Sequence, residues 1–265
     1  MGQPSFIEID NVSKSFDGGL TFAVRDATIA LAAGTFLAVV GASGSGKTTT
    51  LKCINRLVEP DSGEVRIEGV RVASVDAPQL RRSIGYVFQG IGLFPHMKVG
   101  ENIGITPQLL GWAPPEIAAR TGELLELVGL PQSYASRFPD ALSGGEAQRV
   151  SVARAIAARP RIVLMDEPFG ALDPVTRDAI GQAYRALHER LGLTTLMVTH
   201  DVQEAVLLAD RIVVMSGGRV LAQGTPRELM SNSVDHAVAA LMAMPKRQAE
   251  RIAAIMARGE EGRHG

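Results

Sequence analysis

The chain has 265 residues, 46% of them hydrophobic, a single cysteine and a formal net charge of -1. That length holds one large domain, or a domain with a tail, and carries enough apolar surface for a substantial core. Near-neutrality gives no case for nucleic-acid binding through overall charge, and Cys53 alone excludes an intrachain disulfide and suggests a reducing compartment.

The N-terminal residues lack a basic segment ahead of an apolar stretch, so they do not read as a secretory signal. Phe6 stands where an N-myristoylation motif needs Ser or Thr. Residues 6–12 alternate and predict a strand, as do residues 22–31. Residues 35–40 (TFLAVV) form the continuous apolar run of a buried parallel strand. A helix follows from about Thr48 to Leu57, then the short strand GEVRIEG with turns at both ends, then a strand over 84–88. Helical patterns dominate from about 90 to 159, chiefly 115–128 and 143–158. Strands resume at 161–165, 194–199 and 211–215, and Gly217-Gly218 turns the chain into RVLAQG as a hairpin. From 226 onward the pattern is helical with Pro245 as a break, and the last residues read as frayed. No apolar run approaches the ~20 residues that span a bilayer, so any membrane role is expected through a partner. These elements predict an α/β fold with a mixed sheet core, an antiparallel β part and an inserted helical block.

The chemistry lies in motifs placed at the ends of these elements. Gly41, Ala42, Ser43, Gly44, Ser45, Gly46, Lys47, Thr48 and Thr49 connect a strand to a helix and match the phosphate-binding loop GxxxxGK[ST]. In that context backbone N–H groups and the helix N-terminus attract phosphate oxygens. Lys47 is expected to reach the β- and γ-phosphates of ATP, and Thr48 to ligate Mg²⁺. The apolar strand 162–165 delivers Asp166 and Glu167 to its C-terminal edge, where ligands bind in open α/β sheets. Asp166 is expected to hold Mg²⁺, and Glu167 to polarise an attacking water. LSGGEAQR (142–149) opens a helix, so Ser143, Gly144 and Gly145 offer an anion their N–H groups and a hydroxyl.

With Gln89, Asp173 and His200 in the same order along the chain, residues 6–230 resemble the ATP-binding subunits of ABC transporters. The resemblance implies a P-loop NTPase fold with residues 231–265 as a short helical extension. It implies that two subunits, identical or paired, enclose ATP between the phosphate loop of one and the signature of the other. In that arrangement Ser143 and Gly145 contact the partner's γ-phosphate, and Gln89 touches Mg²⁺ and the attacking water. Asp173 links the two sites, His200 supports Glu167 and contacts the γ-phosphate, and Phe16 stacks on adenine. Glu146 stands where Gln is commonest. The segment Phe94–Met97 falls where the family docks a helix of its membrane permease; an ordinary buried loop is the alternative.

LKCINRLVEPDSGEV (51–65), IGLFPHM (91–97), NIGITPQLLGW (102–112) and LMAMPKRQAERI (241–252) resemble the importers of glycine betaine, choline and related quaternary amines. That implies an ATPase on the cytoplasmic face of the membrane, permease subunits and a periplasmic or lipid-anchored solute-binding protein, with no nucleic acid. Some members of that branch carry CBS domains, and the 35 residues after position 230 are too few for them. An importer of an amino acid, sulfonate or polyamine is the alternative. A soluble ATPase acting on DNA or ribosomes is disfavoured by the lack of a coiled-coil insertion, and a scaffold paralogue by Lys47, Glu167 and His200. The tail stripe Ala249, Ile252, Ile255 and Met256 reads as packing on the domain, or as a dimer or permease contact.

Overall fold

Strand alternation and turn chemistry account for the N-terminal layer. In the computed structural model, which describes residues 5–231, 235–247 and 250–251, β1 (Ser5–Lys14) pairs antiparallel with β2 (Val24–Ala32). The apolar run then forms β3 (Phe36–Val40), all five residues buried, and the phosphate loop leads into α1 (Lys47–Ile54). Next come β4 (Ser62–Ile67), β5 (Val70–Arg71), α2 (Ala77–Ser83) and β6 (Ile84–Val87). The block expected at about 90–159 contains α3 (Val99–Leu109), α4 (Pro114–Leu127) and α5 (Gly144–Ile156). Thereafter β7 (Ile162–Asp166), α6 (Pro174–Leu191), β8 (Thr194–Thr199), α7 (Val202–Leu208), β9 (Arg211–Ser216), β10 (Arg219–Gly224), α8 (Pro226–Ser231) and α9 (His236–Met242) follow.

Two sheets result. The antiparallel one runs β2-β1-β4-β5, and the mixed one runs β10-β9-β3-β8-β7-β6, with only β10 antiparallel to its neighbour. Because strand side chains alternate, β3 feeds two cores. Phe36, Ala38 and Val40 pack with the helices on one face. Leu37 and Val39 pack on the other with Cys53 of α1 and the inner face of the antiparallel sheet. Cys53 is fully buried, and burial pushes its thiol up to about 11. The sheet is therefore covered on both faces, as parallel sheets require. All parallel strands end on one edge, and that edge carries the motifs.

The helix predicted to Leu57 stops at Ile54. Arg56 takes a positive φ of 56°, while its Nη1 donates to the Val75 carbonyl at 2.6 Å and its Nη2 to Glu59 at 2.7 Å. Helices α2, α6 and α7 have no counterpart in the sequence reading, and α3 falls inside the expected helical block without bounds of its own. Pro245 lies in helical turns at 244–247 that restart after α9 ends at Met242. The tail stripe at Ala249, Ile252, Ile255 and Met256 lies outside the described residues. No helix among the described residues is long and apolar enough to cross a membrane.

Candidate functional site

The phosphate loop is shaped by close backbone approach. Gly46 sits at φ +99°, and a Cβ there would lie 2.2 Å from the Ala23 carbonyl oxygen, so only glycine fits. Ala42, Ser43 and Gly44 are exposed at the rim, Ser45 is buried, and Thr49 is half-buried on the first turn of α1. Lys47 is buried, its ammonium donating to the carbonyls of Gly41 (2.8 Å) and Ala42 (2.9 Å). Burial lowers its pKa, opposed by the charges of Glu167 and Asp166. That places a desolvated cation and a ring of backbone groups where a polyphosphate would sit.

The acidic strand end closes on this loop. Thr48 Oγ1 donates to Asp166 Oδ1 at 2.8 Å, and Tyr86 approaches Asp166 Oδ2 at 3.5 Å. Burial and the adjacent Asp166 carboxylate raise the Tyr86 pKa, so the phenol remains a donor. Glu167 follows at a positive φ of 44°, a conformation rare outside glycine and found at functional turns. Its Oε2 accepts from Gln89 Nε2 at 3.3 Å and lies 3.2 Å from His200 Nδ1. Strands β6, β7 and β8 thus bring Gln89 and His200, more than a hundred positions apart, onto one oxygen of Glu167. Parallel register explains this: Val87 pairs with Met165, and Asp166 with Val198.

The donor set fits a hard cation beside phosphate. Thr48 offers a hydroxyl, Asp166 a carboxylate, and Gln89 an amide oxygen left free by its Nε2 bond. Among the described residues no group of three or more His, Cys, Asp or Glu could hold a metal ion.

The signature stands apart from this cluster. Ser143 caps α5 in a reciprocal box: its Oγ accepts from Glu146 N at 3.3 Å, and its N donates to Glu146 Oε2 at 2.8 Å. Tyr134 also donates to Glu146, and the bonds from Ser143 hold that carboxyl below its usual range. Glu146 therefore serves the cap as Gln would. Gly144 and Gly145 open the helix, and no hydrogen bond among the described residues ties them to the phosphate loop. Asp173 caps α6 by accepting from Thr176 N at 3.0 Å. Phe16 is 67% exposed with the Lys14 ammonium 5.6 Å from its ring, leaving its outer face open.

Beside Gln89 lies a groove of about 590 Å³ lined by Leu57, Phe88, Phe94, Leu109, Arg154 and their neighbours. Phe88 and Phe94 are both more than 40% exposed. The loop bearing Phe94 is built on Asn102, fully buried, which accepts from Phe94 N (2.8 Å) and donates to the carbonyls of Phe94, Met97 and Lys98. Asn102, Tyr86, Arg154, Arg177 and Asp201 were missed by sequence reasoning. Only Asp201 had a local signal, as the helix-capping residue of an Asp-x-x-Glu pattern.

The sequence profile described as "ABC transporter" matches residues 24–170. The chain is 50% identical over 225 residues to the glycine betaine uptake system ATP-binding protein YehX of Escherichia coli, covering 85% of this chain and 72% of that one. It is 47% identical to the choline transport ATP-binding protein OpuBA of Bacillus subtilis over 88% of this chain and 61% of that one. It thus spans about three-fifths of the length of OpuBA and similar relatives. Among solved structures, dimeric MJ0796, a bacterial ABC transporter cassette, superposes with a TM-score of 0.74 at 35% identity, over 83% of this chain and 98% of that one.

Proposed function

Because the chain belongs to the ABC transporter family of ATP-binding domains, we propose that it is the ATP-hydrolysing subunit of an importer, working as a head-to-tail dimer on the cytoplasmic face of a membrane. The observation that carries this is the convergence of Gln89 and His200 on Glu167, next to the Thr48–Asp166 pair. With its Oε2 engaged by both neighbours, Glu167 keeps Oε1 to accept the proton of an attacking water. Lys47 exchanges the carbonyls of Gly41 and Ala42 for phosphate oxygens, and the N–H groups of the loop hold the same anion. Magnesium bound by Thr48, Asp166 and Gln89 would neutralise charge on the phosphates. The N-terminus of the partner's α5, with Ser143, Gly144 and Gly145, completes the anion site, and Asp173 connects the two halves.

Driven by ATP closure, the Phe94 groove passes movement to permease subunits, which receive solute from a binding protein. The names of YehX and OpuBA support glycine betaine, choline or a similar quaternary amine as that solute. The central test is Glu167→Gln: ATP binding persists, hydrolysis falls at least about 100-fold, and an ATP-dependent dimer accumulates in size-exclusion chromatography. Normal turnover in that variant removes Glu167 as base. For the solute, the chain is co-expressed with permease and binding protein, and vesicle ATPase is compared with glycine betaine, choline and an amino acid. Stimulation by the amino acid alone moves the substrate to another branch.

A further inference from the structure

Among the described residues His200 has one side-chain tie, its Nδ1 to Glu167, and its imidazole is 57% exposed. Its aim must therefore come from the backbone on either side. Before it, Thr199 is fixed by β8, whose register pairs it with Val40. After it, Asp201 is held three ways. Its N donates to Thr199 Oγ1 at 3.1 Å, its Oδ1 caps α7 by accepting from Gln203 N and Glu204 N, and its Oδ2 accepts from Arg177 Nη1 at 3.1 Å.

The third tie leads elsewhere. Arg177 Nη2 donates to the Leu172 carbonyl at 3.2 Å, and Arg177 N to the Asp173 carbonyl at 2.9 Å. Leu172 immediately precedes Asp173, and its own N–H is bonded to Phe169 O within the same turn. One guanidinium thus fastens the loop 167–173 to the turn that carries His200. Both side chains are largely withdrawn from water, with 29% and 33% exposure, so the contact has defined geometry. Arg177 Nε is buried without a hydrogen-bond partner among the described residues. A guanidinium serving stability alone is poorly placed if it strands a donor, whereas one that must reach two loops at once accepts that cost.

We propose that Arg177 and Asp201 form a positioning pair that keeps the Asp173 loop and His200 in register, so that His200 meets Glu167 when the Asp173 loop is seated. The proposal rests on the ATPase reading above. Neither residue belongs to the phosphate loop or to the Asp166–Glu167 pair, and their hydrogen bonds go to the Leu172 carbonyl, to Thr199 and to α7, so the pair acts on turnover and not on ATP affinity. The planar fork is required because it spans a carbonyl and a carboxylate, which a lysine ammonium reaches only singly.

The test uses the full chain with Arg177→Lys, Arg177→Met, Asp201→Asn and the Met/Asn double variant. Asp201→Asn keeps an oxygen to cap α7 while removing the charge that meets Arg177. The expected result is a fall in kcat of about tenfold in each single variant, with KM for ATP and equilibrium ATP binding within about twofold of the parent. The double variant should be no worse than the singles, since both remove one contact. Circular dichroism and Tm identify any variant that is merely unfolded, and Arg177→Lys is the mildest of them. Unchanged kcat in the singles, additive losses in the double variant, or ATP affinity falling in step with kcat each overturns the proposal. If the unmodified chain itself lacks ATPase activity, the proposed function falls and the pair falls with it. If the unmodified chain is active and the variants equal it, only the positioning role is lost.

Discussion

Glu204 shows how a single buried carboxyl ties stability to pH. It is 9% exposed at the start of α7, and desolvation raises its pKa from 4.5 to about 7, against a lowering hydrogen bond from Thr199. The native chain therefore keeps a proton between about pH 4.5 and 7 that the unfolded chain releases. The stabilisation from this group is complete below pH 4.5 and disappears as pH rises through 7, a difference on the order of 3 kcal/mol. Glu204→Gln should accordingly raise Tm by several degrees at pH 8 and change it much less at pH 5, as scanning calorimetry at both values would show. An equal shift at the two pH values would mean that Glu204 is ionised in the native state.

Helix α3 shows the same logic one level up. Its sequence is a poor helix former, with Gly100, Gly104, several β-branched residues and Pro107 inside it. It is held instead by packing and by Asn102, whose four bonds fasten the Phe94 loop to it. Asn102→Leu keeps the volume but strands those backbone groups, so a loss of about 2–4 kcal/mol is expected. Faster hydrogen exchange at the Phe94 amide would report the released loop, and unchanged exchange would show that packing alone holds it. This element also marks what the sequence could convey. The strands and the phosphate loop were legible because apolar runs and fixed spacing express them locally. Helix α3 was legible only as part of the helical block at 90–159 and not by its own bounds, because tertiary contacts overrule its propensities. The amphipathic stripe of α6, with Ile180, Tyr184 and Leu187 buried among Arg, Asp and Glu, gives a weaker signal than an apolar run. The early stop of α1 depends on Arg56 reaching Val75, and the Arg177–Asp201 contact joins residues 24 apart; neither pairing is written in any local pattern.

At the scale of the assembly, the separation of the signature from the phosphate loop predicts complementation. Lys47→Ala disables the loop of a subunit. Gly144→Asp places a carboxylate at the start of α5, where an added Cβ finds its nearest neighbour at 3.9 Å, so folding is spared while an approaching anion is repelled. Each variant alone should be inactive. Mixed in equal amounts they should recover about a quarter of the parent rate, because half of the random dimers hold one intact composite site of two. No recovery would mean that each subunit completes its own site or that both sites must fire together, and steady-state ATPase on the mixture measures it. The buried Cys53, finally, gives the intact molecule a silent thiol. Burial at the base of α1 and a pKa of about 11 keep it from reacting with maleimide or disulfide reagents while the fold holds. Cysteines introduced at the surface can therefore carry spin labels or dyes without first deleting the native one, and the moment Cys53 becomes labelled serves as a clock for unfolding.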